Sequence, residues 1–533
     1  MTATAQILTA AAMAASAALA SRRGVTVLHM WQMDSYIGKR YLRWLFAKPF
    51  ERYLDAPAIA LGAALFAASF FAPEPHWLLV PWIGACLFRL LRTVDPPAKK
   101  PLDYTTRAKR TLLLARVLLA LAAAAIAYFA CVPAALAVGV FLAHAAPGAI
   151  LLANVLLQPA QAHINRGFVK QAAAKIARLD PLVIGVAGSY GKTSTKYFTD
   201  VLLSERFSVL KSPGNFNTLL GITRTINDKL DAGHRIFIAE MGAYKRGEVR
   251  EIANLVHPRI GIVASIGPEH FERFLSMENI ENTNYELIEA LPKDGLAVFN
   301  GDNPHCLKLA ARTKHTRVAL YSLENRDGHC EVWARDIEHG PDGLRFTLMT
   351  REAGSIPVST RVVGRHMVLN ILGAARIAME MGVTLEEIGR GISKLKPAPN
   401  RLEVKQGAGG AIIIDDSYNS NPTGAAEALH VLSQFKTGRR ILVTPGMIEL
   451  GVLHDEKNEE FGYQASQAAD FVILVGPDQT KPIQAGLRRG GFPEASLRIV
   501  KDLGEATAIF QKMIRPGDVL LFENDLPDLY NEK

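Results

Sequence analysis

The residues most able to do chemistry lie in the segment GVAGSYGKTSTK (185–196), which follows an apolar run typical of a buried strand. Gly188 and Gly191 allow the backbone to turn tightly, and Lys192 and Thr193 are placed to open a helix. Backbone N–H groups at a helix N-terminus bind phosphate. We therefore expect a phosphate site, with the lysine on the outer phosphates and the threonine hydroxyl on Mg²⁺.

The spacing of this loop is shorter than the standard GxxxxGK[ST], because Val186 stands where the first glycine would be. What remains is GxxGK[ST]. The alternative is a glycine-rich turn followed by Lys-Thr by chance, and the strand before it and the helix after it favour the phosphate site. The expected nucleotide contacts are Gly188, Ser189, Gly191, Lys192, Thr193 and Ser194.

Composition divides the 533 residues into two parts. The first 160 are crowded with Ala, Leu, Val and Phe, and the rest has ordinary globular composition. Much of the net charge of +9 lies beside the apolar runs, which indicates membrane orientation and no nucleic-acid partner. The four cysteines form no CxxC pair, so neither a disulfide framework nor a metal cluster is expected, and the catalytic part belongs in a reducing cytosol.

The first part, residues 1–160, is predicted to be a membrane domain of about five transmembrane helices. Its apolar runs are 2–20, 57–72, 77–91, 112–132 and 134–157. Basic residues crowd the loops after the first and third runs, whereas the tips at 73–76 and 133 have none. By the positive-inside rule the N-terminus is outside and the catalytic part cytoplasmic. We expect a multi-pass protein of the inner (cytoplasmic) membrane, with the lipid bilayer as a partner.

The segment 27–54 mixes aromatic and basic residues between the first two runs. One interpretation is an interfacial helix that contacts lipid head groups. The other is a connecting helix packed on the soluble part.

After residue 160, helical stretches alternate with short apolar runs such as 236–239, 260–265 and 297–300. This alternation predicts an α/β fold with a mostly parallel sheet covered by helices. Further runs at 441–443 and 472–475, and a last one at 519–522, predict a second sheet. We expect a central domain over 161–398 and a smaller, Rossmann-like α/β C-terminal domain over 399–533.

Several motifs follow the glycine loop in an order that resembles the Mur ligase superfamily, and within it the MurF branch, which joins D-Ala-D-Ala to a UDP-muramoyl tripeptide. The resemblance covers about residues 180–525. Its motifs are AGSYGKTSTK (187–196), KSPGNFNTLLG (211–221), IAEMGAYKRGEV (238–249), IGPEHFERFLS (266–276), GLAVFNGDNP (295–304), VGRHMVLNILGAA (363–375), NRLEV (400–404), IIIDDSYNSNP (412–422) and PGMIELG (445–451).

The resemblance implies a P-loop Mur ligase fold and one chemistry. ATP phosphorylates a substrate carboxylate, and an amine then attacks the acyl phosphate through a tetrahedral intermediate. Two anions must approach each other, so cations must neutralise them. Thr193, Glu240 and His270 are the implied Mg²⁺ ligands, and the implied catalytic residues are Lys192, His270, Asn284 and Arg401.

Other positions carry roles by the same resemblance. Asn215 and Asn217 match the loop near the acyl-acceptor and metal site. Asn300 and Asn370 match contacts on the adenine side, Arg401 the arginine that reaches the phosphates, and Asp416 the aspartate that contacts the ribose. The remaining substrate-loop candidates are Tyr418, Asn419 and Asn421. Taken alone, the asparagines would read as turn formers.

The chain departs from the family pattern in three places. Asn284 stands where the family commonly has a carbamylated lysine; it could be a neutral ligand or positioner, Glu286 could supply the charge, or one metal could be held more loosely. No segment matches the UDP-sugar-binding domain with which MurF proteins begin. Near the end, Glu523, Asn524 and Asp525 replace a basic motif, which favours a cationic amine unless they form a solvated acidic tail.

The expected protein is thus a membrane-anchored ATP- and Mg²⁺-dependent amide-bond ligase for carboxylate and amine substrates, in peptidoglycan-type or related peptide assembly. A lipid-linked acceptor is one candidate substrate. Two alternatives stay open: a poly-γ-glutamate synthetase-like ligase, and a P-loop ATPase coupled to membrane transport. A ligase needs both an amine and a carboxylate to release ADP, whereas a transport ATPase needs neither.

Overall fold

The computed structural model describes residues 2–33, 36, 41–42, 45–46, 53–93, 101–325, 328–340 and 342–525. They form two compact units, which divide after Asn165. This division lies near the predicted end of the membrane domain at 160. The predicted domain boundaries themselves, including the one between 398 and 399, stay predictions.

The first unit is helical. Alanine and leucine, both strong helix formers, dominate its helices. Asp55 and Thr105 cap two of them by accepting hydrogen bonds from the N–H groups of Ala58 and Ala108. The helices are α1 (Ala3–Met33), α2 (Ala56–Ala68), α3 (Leu79–Arg92), α4 (Thr106–Phe129), α5 (Val132–Ala143) and α6 (Ala146–Leu179), whose residues after 165 belong to the second unit.

Two helices of the described residues, α1 and α4, are long and apolar enough to cross a membrane. The pair α5 and α6, bent by 68°, adds a third if it is one span. The five predicted spans therefore stay a prediction. Two of them coincide with α2 and α3, which have only 13 and 14 residues, whereas a straight crossing takes about 20.

The interior of the first unit contains paired polar groups. The indole Nε1 of Trp82 donates to Ser16 Oγ over 3.0 Å. Arg23 and Arg89 both contact Asp55, each over 3.0 Å. The sequence places Arg23 in a basic loop after a first span ending at residue 20, but α1 continues through it to Met33. Most of the segment 27–54 lies outside the described residues, so the choice between its two interpretations stays open.

The second unit contains two sheets. The first has nine strands in the order β2-β3-β1-β4-β5-β6-β7-β8-β9, and all pairs up to β6–β7 are parallel, whereas β7, β8 and β9 pair antiparallel. The strands are β1 (Leu182–Ala187), β2 (Val209–Lys211), β3 (Ile236–Glu240), β4 (Ile260–Val263), β5 (Leu296–Asn300), β6 (Arg317–Ser322), β7 (Val332–Gly340), β8 (Gly343–Thr350) and β9 (Ser355–Thr360).

Helices cover this sheet, and its central strands are almost wholly buried. Side chains of the strands pack with those of the helices into two hydrophobic clusters. The helices are α7 (Lys192–Leu203), α8 (Leu219–Lys229), α9 (Glu248–Val256), α10 (Phe271–Phe274), α11 (Met277–Glu289), α12 (Pro304–Arg312), α13 (His366–Glu380) and α14 (Leu385–Ser393).

The second sheet has six strands in the order β10-β11-β15-β12-β13-β14, and only β10 pairs antiparallel. The mostly parallel α/β architecture predicted for both parts is confirmed. The elements are β10 (Glu403–Gln406), β11 (Ile412–Asp416), α15 (Pro422–Ser433), β12 (Arg440–Thr444), α16 (His454–Ala468), β13 (Phe471–Val475), α17 (Lys481–Arg489), β14 (Leu497–Val500), α18 (Leu503–Met513) and β15 (Val519–Glu523).

The carboxyl ends of β1, β3, β4 and β5 meet at one edge of the first sheet because these strands are parallel. In open α/β sheets, ligands bind at this edge. The residues with predicted chemical roles follow these strand ends.

Candidate functional site

The loop after β1 has the conformation that its glycines permit. Gly188 and Gly191 have φ angles of 137° and 79°, which side chains disfavour. A Cβ on Gly188 would lie 2.9 Å from the carbonyl oxygen of Ser265, and one on Gly191 would collide with the side chain of Asn370. Glycine is therefore required at both positions for the loop to pack this closely.

The start of α7 provides the donors of the phosphate site. Gly191 precedes this helix without a side-chain cap, and the first N–H groups of a helix have no intrahelical partner. In the loop before the helix, the N–H groups of Ser189 and Tyr190 donate to Ser265 O over 2.7 and 3.3 Å. The buried Ser189 hydroxyl has no hydrogen-bond partner among the described residues. An anion fits at the helix start, next to this hydroxyl and to Ser194.

Lys192 places a cation at this anion site. Its Nζ donates to the carbonyl oxygens of Gly188 and Ser189 over 2.6 and 2.8 Å, and it contacts Glu269 Oε2 at 2.8 Å. The side chain thus curls over the loop, where an ammonium can bind phosphate. Glu269 was not among the predicted site residues, although it stands next to His270 in the quoted IGPEH motif.

Glu240, at the end of β3, is brought to Thr193 as predicted. Its Oε1 accepts from Thr193 Oγ1 over 3.3 Å and from Asn217 Nδ2 over 3.1 Å. Its Oε2 lies 2.8 Å from Lys196 Nζ, and neither side chain has more than 2% exposure. Lys196 also donates to Gly214 O over 2.7 Å. This buried lysine neutralises the carboxylate and ties it to the loop 211–221.

His270 lies in the loop after β4, next to Glu269. Its Nδ1 bonds to Glu449, which also contacts Arg273 Nη2 at 3.0 Å, and its ring centre is 4.7 Å from that of Tyr244. Burial alone would lower the pKa of His270, but the bond to Glu449 and the charges of Glu269 and Glu449 outweigh it and raise the pKa. With Nδ1 engaged, Nε2 is the nitrogen left for a ligand.

These groups suit Mg²⁺ only if substrate and water complete its shell. Within the described residues, no three His, Cys, Asp or Glu side chains are placed together to hold a metal ion. Mg²⁺ commonly takes one or two protein carboxylates plus phosphate oxygens and waters. The Thr193–Glu240 pair beside the phosphate site fits that pattern. His270 is engaged by Glu449, and its role as a metal ligand stays a prediction.

Asn284 connects α11 to the glycine loop. Its Oδ1 accepts from the N–H of Gly188 over 2.7 Å, and its Nδ2 donates to Ile280 O over 2.9 Å. This geometry favours the positioner among the sequence alternatives. Glu286 accepts from the N–H groups of Gly247 and Arg250 and so holds the start of α9. Its carboxylate is engaged there and does not replace a carbamate.

The two asparagines predicted on the adenine side hold the framework. Asn300 Nδ2 donates to Ala264 O over 3.0 Å, and its Oδ1 accepts from the N–H of Asp302. Asn370 Oδ1 accepts from Thr195 Oγ1 over 3.3 Å. Asn370 therefore lies against the glycine loop, and its role in nucleotide contact stays a prediction.

The second sheet contributes a loop that meets the first. Arg401 Nη1 donates to Asn419 O over 3.1 Å, and its guanidinium lies 4.4 Å from the ring centre of Tyr418. The Tyr418 side chain lies close to that of Asn215, which follows β2. The structure thus joins three of the predicted loop positions. Asn421 Oδ1 accepts from the N–H of Gly424 and caps α15.

Asp416 and Glu523 form a buried acidic pair. They are register partners on the neighbouring strands β11 and β15. Asp416 accepts from the N–H of Leu402 over 3.1 Å, and Glu523 accepts from Ser420 Oγ over 2.6 Å. Burial raises the pKa of both carboxyl groups, and the charge of Asp416 raises that of Glu523 further.

This pair corrects one expectation. Glu523 is 1% exposed, and the Nδ2 of Asn524 donates to Gly446 O over 2.6 Å. These two side chains do not form an acidic surface for a cationic amine. They are packed inside the second sheet because the apolar strand before them is a central one.

Four residues of the site escaped the sequence reasoning, although each lies in or beside a quoted motif. A lysine inside a helix, or a single glutamate or tyrosine in a loop, has no signal of its own. The partners that give them meaning come from distant segments. They are Lys196, Glu269, Glu449 and Tyr244.

Comparison with known families and proteins agrees with this geometry. The Mur ligase middle domain matches residues 186–378, and the Mur ligase glutamate ligase domain matches 400–523. A UDP-N-acetylmuramoyl-tripeptide--D-alanyl-D-alanine ligase of Mycobacterium leprae is 30% identical over 384 residues, 66% of this chain and 73% of the relative. The Escherichia coli K12 ligase of the same name is 32% identical over 295 residues, 55% of this chain and 64% of the relative. The match thus spans less than two thirds of the E. coli protein.

Solved structures share the fold. A crystal structure of MurF from Acinetobacter baumannii superposes with a TM-score of 0.61 at 25% identity, covering 68% of this chain and 77% of that one. MurF from Thermotoga maritima, solved in complex with ADP, gives 0.59 at 23% identity, covering 68% and 80%. The first 185 residues lie outside both matched domains.

Proposed function

Because this chain belongs to the Mur ligase family, we propose that it is an ATP-dependent ligase that joins a carboxylate to an amine. The observation that carries the proposal is the assembly of Lys192, Thr193 and Glu240 around an uncapped helix start. By the names of its relatives, the reaction is the addition of D-alanyl-D-alanine, or a similar amine, to a peptide carboxylate in peptidoglycan-type assembly.

In the first step, an oxygen of the substrate carboxylate attacks the γ-phosphorus of ATP, and ADP leaves. The start of α7 and the ammonium of Lys192 hold the phosphates and offset the charge that accumulates between the two anions. Mg²⁺ fits beside them on Thr193 and Glu240, where it would neutralise phosphate charge. Lys196 contacts Glu240 Oε2 and so orients this carboxylate toward Thr193.

In the second step, the amine nitrogen attacks the acyl carbon, phosphate leaves, and the nitrogen loses a proton. Arg401 is held against Tyr418, close to the loop that contains Asn215. This position suits an arginine that stabilises the phosphate as it is transferred and then released. Asn284 acts through Gly188, because it fixes the first glycine of the loop.

We further propose that the first unit anchors the enzyme in the cytoplasmic membrane and brings it to a membrane-held acceptor. Support comes from α1 and α4, which are long and apolar enough to cross, and from the basic loops of the sequence. The catalytic unit would then face the cytoplasm. An acceptor attached to a lipid would meet the ligase at the membrane surface.

The test is a screen of amine and carboxylate pairs with ATP, read by ADP release and by the mass of the product. Dipeptides such as D-Ala-D-Ala and UDP-linked or lipid-linked peptides form the first panel. We expect ADP release only when both partners are present. Lys192→Ala should slow it about 100- to 1,000-fold, whereas Lys293→Ala, which removes an exposed lysine from a turn, should not. ADP release that ignores the amine and the carboxylate would favour a transport ATPase and contradict the proposal.

A further inference from the structure

A small pocket with both polar and apolar lining lies in the first unit, between the first turns of α4 and the middle of α6. Its volume is only about 20 Å³, room for one water-sized group, so a larger ligand would lie across its mouth. One wall is α4 and the other is α6. Its polar lining comprises Arg107, Arg110, Thr111, Asn154, Gln158 and Gln161.

The two arginines of this pocket have no carboxylate partner among the described residues. Arg107 Nη2 donates to Oδ1 of the buried Asn154 over 3.1 Å, and its guanidinium lies 3.9 Å from the ring centre of Tyr36. Arg110 is exposed. These contacts orient the Arg107 guanidinium, but no carboxylate among the described residues neutralises its charge or that of Arg110. A guanidinium fork matches the oxygens of a phosphate.

An unsatisfied donor points to the same ligand. Thr111 is 1% exposed, and its Oγ1 has no hydrogen-bond partner among the described residues. A buried hydroxyl left unpaired is unfavourable, and a phosphate oxygen at the pocket would accept its hydrogen bond. The pocket therefore combines two unpaired cations, an orphan hydroxyl and three amides.

The level of the pocket along α4 matches a membrane surface. Arg107 lies on the first turn of this helix, and the exposed Tyr128 and Phe129 lie at its other end. Arg107 and Phe129 are 22 positions apart, which in a helix spans about 33 Å, close to the ~30 Å hydrocarbon core of a bilayer. Exposed aromatic rings are typical of the membrane–water interface. If Tyr128 and Phe129 lie at one interface, the two arginines lie at the level of the lipid phosphates of the opposite interface.

We propose that this pocket binds the phosphate group of an anionic membrane phospholipid. The proposal rests on the membrane anchoring proposed above. A phosphate oxygen enters the pocket beside Thr111 and bridges Arg107 and Arg110, while the acyl chains lie along the apolar part of α4. Such a bound lipid would fix the depth of α4 at the cytoplasmic surface.

The test uses the full chain in phosphatidylcholine nanodiscs that contain spin-labelled phosphatidylglycerol, with the fraction of immobilised label as the readout. We expect the wild type to prefer phosphatidylglycerol over phosphatidylcholine, and Arg107→Gln to reduce this preference about fivefold. Lys109→Gln removes the same charge from the same turn outside the pocket and is the matched control. Equal decreases for the two variants would show a diffuse basic surface and overturn the site.

A second variant guards against misfolding of the first. Gln158 is exposed, and Gln158→Glu supplies a carboxylate to the arginines without removing any buried group. We expect it to reduce the preference as well, and an unchanged preference would contradict the proposal. Inorganic phosphate that displaces the labelled lipid at matched ionic strength would show a site for free phosphate instead. A wild type that remains in the bilayer without lipid preference overturns this site alone, whereas release by alkaline carbonate overturns the anchoring.

Discussion

Replacement of Asn284 tests how the glycine loop is held in its binding conformation. The side chain is 8% exposed, and both ends of its amide are engaged, with Gly188 N–H at one end and Ile280 O at the other. Asn284→Ala removes both bonds and leaves a buried N–H without a partner. This costs about 1–3 kcal/mol in the free energy of unfolding.

The same change should weaken nucleotide binding. If the loop must recover its conformation before it binds, a cost of about 1–3 kcal/mol raises the Kd for Mg-ADP roughly 5- to 150-fold. Isothermal titration calorimetry measures the Kd, and urea unfolding measures the stability. Asn282→Ala is the matched control, because Asn282 lies on the same helix and its side chain accepts from Arg312 at the surface.

Asn284→Asp separates the two ends of the amide. Its carboxylate can still accept from Gly188, but its second oxygen faces Ile280 O. Burial would raise the pKa of this carboxyl, and the protonated form can donate to Ile280 O as the amide does. We therefore expect the defect of Asn284→Asp to diminish as the pH falls, whereas that of Asn284→Ala should not. Asn284→Ala with wild-type affinity would refute the positioning role, and a strong bicarbonate requirement of the wild-type enzyme would show that a carbamylated lysine acts elsewhere.

Three further predictions follow from the site and the fold. Lys192→Ala should lower the rate of ligation about 100- to 1,000-fold, and single-turnover ADP formation near the wild-type rate would contradict this. A truncated protein that begins at residue 166 should bind Mg-ADP in calorimetry but act poorly on the natural acceptor. Wild-type turnover of that acceptor by the truncated protein would mean that the N-terminal helices only anchor the enzyme. The raised pKa values of Glu523 and Asp416 contribute stability that is complete below their unfolded pKa values and is lost as the pH rises. Glu523→Gln should therefore flatten the fall of the urea midpoint toward neutral pH. Parallel curves for variant and wild type would exclude the acidic pair as the source of that fall.

The sheet and the glycine loop could be predicted because their signals are local. Each buried parallel strand is an apolar run. The run 236–239 is followed by Glu240, a carboxylate that is unfavourable in a hydrophobic core and so indicates a functional site. Glycines at 188 and 191 mark the positive φ angles that the turn needs. The sequence signals for the strand, the turn and the helix therefore follow one another along the chain, as the elements themselves do in the fold.

The pairings within the site could not be predicted because they join distant segments. His270 meets Glu449 across 179 residues, and Lys196 becomes an ion-pair partner only when β3 pairs beside β1. Glu523 looks like part of an acidic tail until β15 is placed between β11 and β12. In that position the Glu523 side chain is buried, and burial and the charge of Asp416 raise its pKa.

The most direct test of the central claim follows one oxygen atom. If the carboxylate substrate is labelled with ¹⁸O and ligation proceeds through an acyl phosphate, one labelled oxygen leaves with the phosphate when the amine attacks the acyl carbon. We predict that mass spectrometry of the released phosphate will show one ¹⁸O for each amide bond formed. Unlabelled phosphate would mean that water attacks ATP directly, and this result would contradict the assignment of this chain as a carboxylate-activating ligase.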